Sequence, residues 1–155
     1  MVNLEYTTRD YNENDYQFVY DVKKLVYQKY VEANWGEWNE EKQLEMFEEF
    51  MNEHSKDIKI IVVNNIRAGF FHGNILDEKT YEQRNICLLP EFQGKGIGSK
   101  ILKSIIDFYK DKDIILRCFK QNPVINLYKR LGFVVSGETE YHYQKVKSKQ
   151  SNLVK

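Results

Sequence analysis

The stretch PEFQGKGIGSK, Pro90 to Lys100, sets glycines at positions 94, 96 and 98. A run with helical apolar spacing starts directly after it, through Ile97, Ile101, Leu102, Ile105, Ile106 and Tyr109. Glycine inside a helix costs about 1 kcal/mol relative to alanine. Three at a helix start therefore need another reason. The first backbone N–H groups of a helix have no partner within it, and the helix dipole adds partial positive charge at that end. Glycines let the backbone turn sharply and let an anion approach with no Cβ in the way. The stretch thus suits a phosphate or pyrophosphate, with Lys95 and Lys100 adding positive charge. The alternative is a flexible turn with a glycine-rich cap. The Walker A spacing is absent, and the dinucleotide pattern fails because Ser99 stands where its third glycine belongs.

Upstream of this loop, the chain reads first as a short strand, "NLEYTTRDY". Apolar residues at 18, 19, 22, 25, 26 and 30 then predict a helix ending near Trp35. Asn39 caps a second helix, with acids in its first turn and Leu44, Phe47, Phe50 and Met51 on one side. The period then changes. "DIKIIVVNN" is a β-branched strand closed by an Asn64–Asn65 turn, and two more strands follow, joined around "DEK". Downstream of the loop and its helix, "DIILRCF" is a buried strand. "NPVINLYKRLG" is a short helix with Asn122 as cap, Pro123 at its first position and Gly132 past its end. One or two strands close the chain. The predicted order is β-α-α-β-β-β-α-β-α-β-β, a mixed-sheet, three-layer α/β domain over residues 1–148 with a polar tail at 149–155.

The 155 residues carry equal numbers of acidic and basic side chains, so no overall field draws the chain to nucleic acid or a membrane. No apolar run approaches a membrane span and no leader opens the chain, so a cytoplasmic protein is expected. Charge is nonetheless uneven. Residues 1–92 hold 18 acids against 10 Lys or Arg, and residues 93–155 hold 5 against 13. That bias suggests an anion on the second half and a cation on the first. Cys87 and Cys118 lie in apolar runs and read as buried thiols. The three histidines are scattered along the chain, which gives no support for a metal site.

The order Gln93-Gly94-Lys95-Gly96-Ile97-Gly98, preceded by "LLPEFQ" and followed by "NPVINLYKRLGF", resembles the acyl-CoA pyrophosphate loop and its surroundings in the GNAT superfamily of N-acetyltransferases. The specific likeness covers about residues 81–135. It implies acetyl-CoA as donor, no metal, and a monomer or homodimer. It implies that Gln93, Gly94, Lys95, Gly96, Ile97, Gly98 and Ser99 hold the pyrophosphate. Pantetheine would add like a strand to the backbone of Ile86, Cys87 and Leu88. Tyr128 matches the family tyrosine that protonates the leaving thiolate; by helix face alone it reads as a core aromatic. Asn122 is either a helix cap or a hydrogen-bond partner of the CoA arm.

Glu82, eleven residues before Gln93, stands where some relatives carry a general base. An amine of pKa about 10.4 must lose a proton before it attacks. The alternative for Glu82 is a charge pair with Arg84, on the same face by strand period. Tyr30, Trp35, Glu37 and Trp38 join the first two helices, where the family shapes its acceptor site; a hydrophobic plug is the other reading. The resemblance implies transfer of an acetyl group to a primary amine, with a small cationic acceptor favoured by the acidic first half. A peptide or protein amine, or a non-catalytic acyl-CoA sensor, is the alternative.

Overall fold

A computed structural model describes residues 5–148, so the tail at 149–155 and the first residues of the expected opening strand lie outside the described residues. The elements follow the order expected from sequence: β1 (Thr7–Asp10), α1 (Tyr16–Trp35), α2 (Glu40–His54), β2 (Ile58–Val63), β3 (Ile66–Ile75), β4 (Thr80–Leu88), α3 (Ile97–Phe108), β5 (Asp113–Phe119), α4 (Ile125–Arg130), β6 (Val134–Glu138) and β7 (His142–Lys147). The strand order is β1-β2-β3-β4-β5-β7-β6. Strand β4 runs parallel to β5, while the β1–β2, β2–β3, β5–β7 and β6–β7 pairs are antiparallel. Among the described residues, no helix is long and apolar enough to cross a membrane. The chain divides into two compact units, one up to His72 with Asn85–Gly98 and one of Gly73–Arg84 with the residues from Ser99 onward.

In the first unit, the apolar stripe of α1 and one side of α2 close over β2 and β3. Val19, Tyr20, Val22, Phe47, Met51, Ile58, Ile60, Phe70 and Cys87 form the buried core. Removing such a side chain from water contributes about 1.5–3 kcal/mol. Asn39 caps α2 as expected, accepting from the Lys42 amide at 2.9 Å. The β2–β3 hairpin turns on Asn64 and Asn65, both at positive φ (52° and 64°). That is the two-residue turn whose twist matches paired strands.

Asp15 anchors the entry to α1, a role the sequence reading missed. Its carboxylate takes both Arg9 nitrogens, at 2.8 and 2.9 Å, and Arg67 at 3.2 Å. Asp15 is 1% exposed. The Arg9 hydrogen bonds hold its pKa down at about 2 despite that burial. The clue was local: Asn12 and Asp15 have the spacing of a capping box, and both of its hydrogen bonds form.

In the second unit, α3 buries Leu102, Ile105 and Ile106, and β5 buries Ile114, Leu116 and Cys118. Tyr81 stacks on Tyr109 with ring centroids 4.1 Å apart. Helix α4 starts at Ile125, two residues later than its sequence spacing suggested. Bonds from Ile125 to the Asn122 carbonyl and from Asn126 to the Pro123 carbonyl span three residues each, so this first turn is tighter than α.

Candidate active site

The glycine loop belongs to the first unit. A single turn of 3₁₀ helix, Pro90–Phe92, leads out of β4 into extended Gln93. The Gln93 side chain donates to the Leu88 carbonyl at 2.9 Å and pins the loop to the strand end. Gly94 and Gly96 then take φ of 72° and 83°, and α3 begins at the next residue. A Cβ on Gly94 would meet nothing within 4 Å. Glycine is required there by backbone conformation and not by crowding. Residues 93–96 are exposed, and the first amides of α3 follow them directly.

Strand β4 leads to this loop. Its ladder with β5 runs from Thr80↔Asp113 to Gln83↔Leu116 and stops there, so Ile86, Cys87 and Leu88 lie past its end. Ile86 and Leu88 are half-buried and Cys87 is buried. Strand β3 approaches closely behind them: a Cβ on Gly69 would sit 2.0 Å from the Cys87 carbonyl oxygen. Burial pushes the Cys87 thiol up to about 12, against a weaker lowering by its Tyr27 hydrogen bond, so it is no thiolate nucleophile near neutral pH. The Asn85 amide also donates to the Tyr27 hydroxyl at 2.9 Å. Tyr27 thus ties α1 to the end of β4, a long-range link that sequence spacing could not disclose.

The residues expected at the acceptor separate into two groups. Tyr30 is 7% exposed and belongs to the interior. Trp38 packs half-buried against the core, donates from Nε1 to Glu40 at 2.7 Å and lies under the Lys24 ammonium. Its backbone amide donates to Glu32 at 3.3 Å. Trp35, the last residue of α1, is 52% exposed, and Glu37 is exposed beside it.

The second unit holds the remaining candidates. Glu82 is 5% exposed on β4. One of its oxygens faces Arg84 at 3.2 Å, and the other accepts from Arg117, which also donates to Gln144 at 3.1 Å. Both oxygens are thereby occupied by guanidinium groups: Arg84 is the partner that sequence analysis set beside the general-base role, and Arg117 was not foreseen. Tyr128 is half-buried on α4, 5.8 Å from the Phe133 ring between centroids, and its carbonyl accepts from the Phe133 amide. The Asn122 side chain accepts from the Val124 amide at 3.0 Å, so it shapes the turn into α4.

Residues 21–133 match the Acetyltransferase (GNAT) family. This chain belongs to the GNAT family. A segment of 64 residues is 42% identical to the spermine/spermidine N(1)-acetyltransferase of Bacillus subtilis (strain 168) and to a probable spermine N(1)-acetyltransferase of B. subtilis subsp. natto (strain BEST195). That segment is 38% of this chain and 42% of the length of either relative, so the match spans under half of the curated proteins. Solved structures share the fold across nearly the whole chain. The PaiA N-acetyltransferase of Thermoplasma acidophilum, solved in complex with coenzyme A, superposes with a TM-score of 0.70 at 18% identity, over 94% of this chain and 99% of that one. The ribosomal-protein-S18-alanine N-acetyltransferase of Escherichia coli gives 0.68 at 17% identity, over 97% and 99%.

Proposed function

We propose that this protein transfers the acetyl group of acetyl-CoA to a primary amine of a small cationic acceptor of the polyamine class. The observation that carries the reading is the pair of positive-φ glycines, 94 and 96, set directly before α3 in a chain of this family. Such a turn aims successive amides at one point, where a pyrophosphate gains both hydrogen bonds and the helix field. Lys95 and Lys100 add charge on the same segment. The backbone of Ile86, Cys87 and Leu88, past the end of the β4–β5 ladder, suits an extended amide-bearing arm.

In this reading the acceptor amine attacks the thioester carbonyl of the donor substrate directly. Backbone N–H groups at the end of β4 polarise that carbonyl. As the C–S bond breaks, the Tyr128 hydroxyl gives its proton to the departing thiolate and recovers one, by way of water, from the nitrogen that has bonded to the acetyl carbon. The buried state of both cysteines supports direct transfer over a thiol-bound acyl group. Glu82 serves here to hold Arg84 and Arg117, one on each of its oxygens.

The acceptor class rests on the exposed Trp35 that ends α1, on the exposed Glu37 beyond it, and on the likeness to proteins named spermine acetyltransferases. An aromatic face holds an ammonium group with about 0.5–2 kcal/mol, and a carboxylate adds attraction. Steady-state kinetics test the assignment. Trp35→Ala and Glu37→Gln are expected to raise KM for a polyamine several-fold and leave KM for acetyl-CoA unchanged. Unaltered polyamine KM in both variants would remove the acceptor site from this junction.

A further inference from the structure

Two of the three histidines, far apart in sequence, meet in the fold. His54 ends α2, Asp57 closes the 3₁₀ turn that follows, and His72 lies on β3 opposite Ile58, the residue after Asp57. One donor atom from each of the three lies within 4.8 Å of the other two. The imidazole rings of His54 and His72 are 4.9 Å apart between centroids, and His54 Nδ1 is 4.0 Å from an Asp57 oxygen. We propose that His54, Asp57 and His72 form a binding site for a divalent transition-metal ion of the zinc class.

The donor chemistry selects that class. Two imidazoles and one carboxylate suit zinc and its neighbours, while magnesium and calcium favour all-oxygen shells. The spacing is close to what is needed. Ligands at about 2.0–2.2 Å from a tetrahedral ion stand roughly 3.3 Å apart, so the donors must draw together by up to about 1.5 Å. The side chains of His54 and Asp57 are 17% and 30% exposed and can make that adjustment, while His72 is fully buried on a core strand. Two surroundings favour a cation. The C-terminal end of α2 carries the negative pole of its helix dipole. With Nδ1 of His54 turned to Asp57, its Nε2 faces the Glu53 carboxylate at 3.7 Å. A carboxylate behind a ligating histidine helps to orient the ring. The Phe50 ring, T-shaped to His72 with centroids 5.2 Å apart, supplies an apolar wall. A bound ion would staple the end of α2 to β3 within the first unit. The competing reading is an aromatic cluster of Phe50, His54 and His72 with Asp57 as a neighbouring charge.

The test uses chelator-stripped full-length protein titrated with Zn²⁺ by calorimetry and with Co²⁺ by visible absorption. Expected are one Zn²⁺ per chain, a ligand-field band with Co²⁺, and a Tm that rises with Zn²⁺. His54→Gln and Asp57→Asn change partly exposed side chains and should fold. Each is expected to weaken Zn²⁺ at least about tenfold and to abolish the band. Circular dichroism without metal checks that both variants match wild type. No saturable Zn²⁺ binding, or equal affinity in wild type and both variants, would overturn the site and leave the aromatic cluster.

Discussion

Gly94 separates conformation from packing. Its φ is 72°, and a Cβ there would meet nothing within 4 Å. Gly94→Ala therefore introduces no clash, and its cost is the backbone term alone. Holding an alanine in the left-handed region costs about 1–2 kcal/mol. The loop is exposed and can relax out of that conformation. The strain should therefore leave Tm nearly unchanged and appear as a weaker cradle. At 1.4 kcal/mol per tenfold, that is about a 5- to 30-fold rise in the Kd for coenzyme A. Asparagine tolerates positive φ far better than alanine, so Gly94→Asn should bind more tightly than Gly94→Ala despite its larger side chain. Calorimetric titration of the three proteins with coenzyme A decides it. Equal affinity for Gly94→Ala and wild type, or Asn weaker than Ala, would refute the argument that φ at this position serves the ligand.

Three further outcomes follow from the geometry. Tyr128→Phe keeps the ring beside Phe133 and removes only the hydroxyl, so kcat should fall by about 10² or more with a small change in Tm; a kcat within a few-fold, with chemistry rate-limiting, would make Tyr128 a packing residue. Asp15 has its pKa lowered from the ordinary 3.8 to about 2, so its contribution of about 2 kcal/mol is present above pH 4 and is lost as pH falls toward 2. Asp15→Asn should lower stability near neutrality and flatten that acid limb in denaturant titrations. Glu82→Gln should lower Tm by loosening Arg84 and Arg117 while leaving the shape of the pH–rate profile intact; a rate deficit rescued at high pH would instead assign Glu82 as the base.

Element order was legible because each segment carried its own period and punctuation. Asn39, the Asn64–Asn65 turn and the apolar stripe from Ile97 to Ile106 are all local signals, and each formed as read. Margins were less legible. Leu25 shares the helical spacing of α1 but is 59% exposed, because a periodicity gives a stripe and not its width. Of the site, the glycine loop could be read because φ demands glycine. The partners of Glu82 could be read only by half: Arg84 follows from strand period, whereas Arg117 comes from another strand. Tyr27 and the His54–His72 pair escaped for the same reason, since each acts through a residue distant in sequence, whereas Asp15 was missed although its capping box with Asn12 is local.

The central claim is catalysis of acetyl transfer and not donor binding alone. Incubating the protein with acetyl-CoA and each member of an amine panel, with free thiol and acetylated product both quantified, addresses it directly. The account predicts thiol release that requires an amine, matches product one to one, and is fastest with a polyamine. Tight coenzyme A binding with no amine-dependent thiol from any member of the panel would contradict it.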